Sequence, residues 1–210
     1  MANPTADVPA SDAEIAALAD LNGQHNKYTI DVTMLQREDA TRSEFRKLLA
    51  GGSYDIVHFA GHASYDQDQP GMSALMFADR PLSADDVLGL EWAQPPYFVF
   101  NSACQSGRAT GDRRLVSEQN QGNGLAAAFL ATGCLAYAGY FWPVSDDGAG
   151  LFARTFYSSM FESENVGEAF QVARVEALRE LGEQGDLTGY GAILYGDAGT
   201  KERRDVFTAA

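Results

Sequence analysis

Basic residues, cysteines and long apolar runs are all scarce in this chain. Against 15 Lys and Arg stand 29 Asp and Glu, for a formal net charge of -14. Nucleic-acid binders cluster cations to displace counterions, so nucleic acid is not expected as a direct partner. No apolar run approaches the roughly 20 residues that cross a bilayer. The opening residues carry acids where a signal peptide has a basic start and an apolar centre, so a cytoplasmic protein without membrane contact is expected. Only Cys104 and Cys134 occur, too few for a disulfide scaffold and consistent with a reducing compartment. Neither a G-x-S-x-G elbow nor a phosphate-binding loop is found.

What is present suits one globular domain. A chain of 210 residues can bury one sizeable core. Ser11-Asp12-Ala13-Glu14 has the spacing of a capping box before Ile15, Leu18 and Leu21, which predicts a helix starting at Ser11. Tyr28 to Met34 alternates like a strand. Thr41-Arg42-Ser43-Glu44 opens a second helix that Gly51-Gly52 ends. Asp55 to Ala60 reads as a buried strand, Ser64 to Pro81 as loop, and Ser83 as the cap of a short helix. Tyr97 to Phe100 is the next strand, followed by a polar stretch reaching about Gln121. Helices over Gly124–Thr132, Asp146–Met160 and Asn165–Leu181 then alternate with strands over Cys134–Phe141 and Gly191–Tyr195. Strands alternating with helices predict an α/β fold with a mainly parallel sheet covered on both faces.

In such sheets the functional crevice lies beyond the carboxyl ends of the strands. His62 follows one expected strand end and Cys104 another, so parallel strands about 4.8 Å apart would bring the two together. A thiolate attacks, and an imidazole can take its proton and return it to a leaving amine. The N–H of Cys104 and those of Gly61 or Ala63 are the candidate oxyanion donors. Cys134 begins an apolar strand and reads as core. His58, inside its strand, reads as a structural hydrogen-bonding residue, and His25, in a polar turn, as solvated. His58 and His62 have the outer spacing of a zinc-peptidase helix but lack its Glu and lie in strand context, so no metal is expected.

Tyr54-Asp55-Ile56-Val57-His58-Phe59-Ala60-Gly61-His62-Ala63, Asn101-Ser102-Ala103-Cys104-Gln105-Ser106-Gly107, Gly124 to Gly133, and Phe141-Trp142-Pro143-Val144 with Asp146-Asp147 resemble the CHAT family. So do Phe156-Tyr157, Glu168-Ala169, Ala173-Arg174 and Ile193-Leu194-Tyr195-Gly196-Asp197. These are prokaryotic relatives of caspases and separases. The resemblance implies a caspase-hemoglobinase-like three-layer αβα sandwich over residues 1–210, and peptide-bond cleavage by the dyad His62 and Cys104 without metal or organic cofactor. It also implies a protein or peptide substrate and a regulatory protein module, in bacterial signalling, cell death or defence. Where relatives commonly have Gly after the histidine, this chain has Ala63, which keeps the N–H but restricts the backbone. The chain begins where relatives have finished their first core strand, as either a piece of a longer protein or a chain lacking that strand.

Related peptidases form the pocket for the residue before the cut from the segment corresponding to Gly139–Asp147. Asp146 or Asp147 would favour a basic residue there, whereas Tyr140, Phe141 and Trp142 would line an apolar pocket. Helix N-capping is the favoured reading of the two aspartates over substrate contact. A basic-selective pocket would make the Arg113-Arg114 segment a candidate self-cleavage site. A catalytically silent caspase-like interaction module, and amidase chemistry on the same dyad, are the alternative functions, because fold alone does not decide between them.

Overall fold

The computed structural model of the protein describes residues 1–20, 23–25, 28–103, 124–163 and 165–200. Helix α1 (Pro9–Ala19) starts at a proline, whose missing N–H costs nothing in a first turn. It is followed by strands β1 (Gly23–His25) and β2 (Tyr28–Ile30), which pair as an antiparallel hairpin. Next come α2 (Arg42–Gly51), β3 (Ile56–Gly61), β4 (Ala63–Ser64), β5 (Ala74–Leu75), β6 (Leu82–Ser83), α3 (Ala84–Leu88) and β7 (Phe98–Ala103). Beyond β7 lie α4 (Leu125–Ala131), β8 (Ala136–Tyr140), α5 (Asp146–Met160), α6 (Val166–Leu181), α7 (Thr188–Gly191) and β9 (Ala192–Gly196).

Most helix starts follow the capping logic. Thr41 Oγ1 accepts from the Glu44 N–H at 3.1 Å, and Ser83 and Asp86 form a reciprocal capping box on α3. The expected start at Ser11 is corrected: α1 begins two residues earlier, Ser11 is buried inside its first turn, and Glu14 turns inward. Ser64 to Pro81 is not simple loop either. Strands β4, β5 and β6 make a small antiparallel sheet, each too short for alternation to register in the sequence. Of the strand expected over Tyr28–Met34 only Tyr28–Ile30 forms, and His25, expected in a turn, ends β1 and pairs with Tyr28.

The central sheet has the order β3-β7-β8-β9, with β3, β7 and β8 parallel and β9 antiparallel at one edge. At the other edge Ala2 bridges in parallel to both Ala60 and Gln36. The Ala60 N–H donates to Met1 O at 2.9 Å and its carbonyl accepts from the Asn3 N–H at 2.9 Å. The opening residues therefore occupy the place of a further strand beside β3.

Alternation along the strands feeds two cores. Phe98, Phe100, Ala138 and Tyr140 face α1, α5 and α6, packing with Ile15, Phe152, Phe156 and Phe170. Val57, Phe59, Val99 and Tyr137 face α2, α3 and α4, packing with Phe45, Val87 and Phe129. This is a three-layer αβα sandwich. Among the described residues no helix is long and apolar enough to cross a membrane.

Phe100 sits at the centre of the first core, 1% exposed, with ring centroids of Phe156, Phe152 and Tyr140 at 5.5, 6.1 and 6.4 Å. Phe100→Ala should destabilise the fold by about 3–5 kcal/mol, read as a lower denaturant midpoint at constant slope. A loss under about 1 kcal/mol would mean that this core does not carry the fold.

Candidate active site

The site begins with a register. Strands β3 and β7 pair from Ile56↔Phe98 through to Gly61↔Ala103. His62 is the residue after Gly61, and Cys104 the residue after Ala103. Cys104, the rest of the polar stretch to Gln121 and the Arg113-Arg114 segment lie outside the described residues. On its other side His62 is tied to the small sheet, for its carbonyl accepts from the Met76 N–H at 3.0 Å and Ala63 pairs with Leu75. The imidazole is half exposed, at 49%, and its Nε2 lies 3.1 Å from Asp7 Oδ1.

The same ladders sort the candidate oxyanion donors. Both backbone groups of Ala60 bond to Met1 and Asn3, so by alternation the Gly61 N–H faces β7 and is used within the sheet. The bond from Met76 to His62 makes Ala63↔Leu75 the pair without mutual hydrogen bonds, which turns the Ala63 N–H away from β5. Of these two residues, Ala63 is the one whose N–H the sheets leave over.

Beside His62 a cleft runs between α1 and α5, lined by Ser11, Glu14, Gly61, Ser102, Val144 and Asp146, with His62 at its edge. Glu14 forms its floor and is 4% exposed. Its Oε2 accepts from Ser102 Oγ at 3.1 Å. Its Oε1 is 3.0 Å from His58 Nε2 but off the line of a hydrogen bond. His58 Nδ1 in turn meets the Tyr157 hydroxyl at 3.0 Å. Burial, and then the charge of Glu14, push the Tyr157 hydroxyl pKa well above its ordinary value.

The segment expected to shape the substrate pocket divides. Asp146 and Asp147 are exposed in the first turn of α5, but neither caps it: the cap is Ser145, whose Oγ accepts from the Gly148 N–H at 2.9 Å. Asp146 reaches the cleft. Tyr140 does not, because its ring is fully buried between Phe100 and Phe152; this removes it from the expected substrate-binding set. Trp142 is partly buried beside Phe141, with its indole against the backbone at Gly191 and outside the residues lining the cleft. Sequence reasoning misses three groups near the cleft: Asp7 lies in no motif, Glu14 reads only as part of a capping box, and Ser102 is passed over within the stretch that leads to Cys104. For Glu14 one signal existed, an acidic residue set beside Ile15 and one turn before Leu18 on an inward stripe.

Cys134 is 4% exposed, and its Sγ lies 3.0 Å from the Ala136 carbonyl. Burial pushes its thiol up from 9.0 to about 12. Among the described residues no group of three His, Cys, Asp or Glu is placed to hold a metal ion.

This arrangement of sheet and helices is found in known cysteine peptidases. Gingipain R, an Arg-specific cysteine proteinase, superposes with a TM-score of 0.63 at 15% identity, covering 92% of this chain and 42% of its own. RgpB of Porphyromonas gingivalis, in a complex of its pro- and mature domains, gives 0.63 at 13% over 94% and 44%. Separase of Saccharomyces cerevisiae, in complex with securin, gives 0.61 at 16% over 92% and 11%. The fold is therefore the caspase-like α/β fold of these peptidases, and the chain spans less than half the length of any of the three. Residues 1–204 match the CHAT domain family, to which this chain belongs. No curated protein matches it by sequence.

The raised thiol of Cys134 gives a testable pH dependence. The fold favours its protonated form, so the stability it contributes is whole below about pH 9 and is lost as pH rises towards about 12. Cys134→Ala should flatten the fall in unfolding free energy between pH 9 and 11, and at pH 7 iodoacetamide should modify Cys134 only after unfolding. Rapid modification of the native thiol at pH 7 would contradict its burial.

Proposed function

We propose that the chain is a cysteine endopeptidase domain in which Cys104 is the nucleophile and His62 the general base. The observation that carries this is the pairing of Gly61 with Ala103 on adjacent parallel strands. Each candidate is the next residue along, and Cα atoms one residue apart are only about 3.8 Å apart. Covalent continuity thus keeps Cys104 close to the end of β7, one strand spacing from the end of β3. His62 takes the thiol proton, and the thiolate attacks the scissile carbonyl carbon. The resulting oxyanion accepts from the N–H groups of Ala63 and Cys104. Collapse expels the amine, which His62 protonates; water then hydrolyses the thioester, releasing the acid and restoring the thiol.

In this reading the cleft between α1 and α5 receives the side chain before the cut, which is Lys or Arg. Glu14 offers an oxygen without an aligned donor among the described residues, and Asp146, free of a capping role, adds a second acid at the rim. The Arg specificity of gingipain R, the structural relative named above, supports the same preference. Gingipain and separase are each seen with a further polypeptide, a pro-domain and securin. A protein module that regulates access to the cleft, in a cytoplasmic signalling, cell-death or defence pathway of a bacterium, fits this pattern.

The test is mass-spectrometric profiling of a diverse peptide library with wild type, Cys104→Ala, His62→Ala and Asp146→Asn. New termini following Lys or Arg should occur with wild type, vanish with the first two variants, and form roughly tenfold more slowly with Asp146→Asn, the scale of losing one charge-assisted contact. Cleavage that survives Cys104→Ala would sink the peptidase assignment. Cleavage without basic preference would sink the pocket assignment alone. If no variant cuts, Cys104 alkylation decides: a thiol no more reactive than a free cysteine favours the silent interaction module.

A further inference from the structure

Asp7 has no place in any motif, yet among the described residues it is the side chain that meets the His62 imidazole at hydrogen-bonding distance. Its Oδ1 lies 3.1 Å from Nε2, across 55 residues of sequence. The turn that delivers it is unusual. Asn3 and Ala6 both have positive φ, 45° and 58°, a region that residues with a Cβ adopt only when their surroundings require it.

Several bonds fix this turn. Asn3 Oδ1 accepts from the Val8 N–H at 2.9 Å, and Asn3 Nδ2 donates to Asp12 Oδ2 at 3.0 Å. The Ala6 N–H donates to Asn3 O at 3.0 Å. Upstream, Asn3 itself is bound to Ala60 of β3. Thr5 Oγ1 donates to Asp7 Oδ1, the same oxygen that meets His62. The Thr5 hydroxyl first, and His62 after it, hold the Asp7 carboxyl below its ordinary pKa, so it is ionised at neutral pH. Asp7 is thus anchored to the same strand that ends in His62, and a strained turn holds it against the ring.

We propose that Asp7 is a positioning residue for His62: it accepts the Nε2–H hydrogen bond, fixes the tautomer with its lone pair on Nδ1, and stabilises the imidazolium formed when the Cys104 proton is taken. This rests on the peptidase reading above and adds a third member to its dyad. Donation from Nε2 leaves Nδ1 as the ring nitrogen able to accept a proton. The other acids sharing the cleft with His62, Glu14 from α1 and Asp146 from α5, are engaged with Ser102 or stand at the rim. Among the described residues, Asp7 is the one that meets a ring nitrogen of His62 at hydrogen-bonding distance.

The experiment reads the dyad without needing a substrate. The rate of Cys104 carboxamidomethylation by iodoacetamide is followed by mass spectrometry from pH 5 to 9 in wild type, Asp7→Asn, Asp7→Glu and His62→Ala. The His62 ring-nitrogen shifts, which report its tautomer and hydrogen bonding, are read by NMR in the Cys104→Ala background, with and without Asp7→Asn, and unfolding midpoints are measured alongside. Asp7→Asn should change the His62 ring-nitrogen shifts and slow alkylation near pH 7 by roughly threefold, as expected for an exposed ion pair. Asp7→Glu should restore part of the rate, and about 1 M salt should shrink the difference. Unchanged His62 ring-nitrogen shifts and an unchanged alkylation profile in Asp7→Asn, with His62→Ala still impaired, would overturn the role of Asp7 alone. A Cys104 rate that His62→Ala leaves untouched would overturn the dyad, and this inference with it.

Discussion

Everything chemical in this molecule depends on the parallel pairing of β3 with β7. A parallel register is set by the whole strand, and here each side of both strands is buried, so a slip of one residue would exchange the contents of the two cores. Phe98 and Phe100 would turn towards the helices that now receive Val99. Packing over both faces therefore fixes which residues stand at the strand ends. Chemistry at those ends inherits its precision from aromatic side chains that never meet a substrate.

The surroundings of His62 follow from the same edge. Residues 1–3 lie along β3, the chain turns sharply at Asn3 and Ala6, and α1 then crosses the sheet with Glu14 facing inward. The carboxyl of Glu14 meets Ser102 and His58, one residue from each of β7 and β3. A buried acid between strand residues is costly unless its oxygens are engaged. The Ser102 hydroxyl meets one of them, and the cleft gives access to the group. The polar pathway from Glu14 through His58 to Tyr157 links the floor of the cleft to α5.

Much of this was legible in the residues. Helix α5 begins and ends where its apolar spacing and the acidic pair at its start place it, and α2, α3 and α6 begin at Thr41, Ser83 and Asn165, whose side chains cap them. The α/β fold with a mainly parallel sheet was readable from strand and helix alternation. Ser11-Glu14 misled because a capping box and an inward-facing acid have the same spacing, and only packing tells them apart. The two-residue strands β4, β5 and β6 carry too little pattern to be seen. Tyr140 looked like a pocket residue because its strand leads to the site, but the side of the strand decides, and its side belongs to the core. Asp7 could not be read at all: its contact needs a left-handed turn made by an asparagine and an alanine.

Among the described residues, the cleft is walled mainly by the helices α1 and α5. Its width is set by the distance between α1 and α5, which the packing of Ile15, Phe152 and Phe156 holds constant. Ala10 and Ala149 face it with minimal side chains. Selection acting on this domain could therefore change what the cleft accepts one side chain at a time, by enlarging Ala10 or Ala149 or by exchanging Ser11 or Asp146, without re-forming the framework. A rigid frame with replaceable lining residues is a route by which one architecture can diversify its targets while its reaction stays the same.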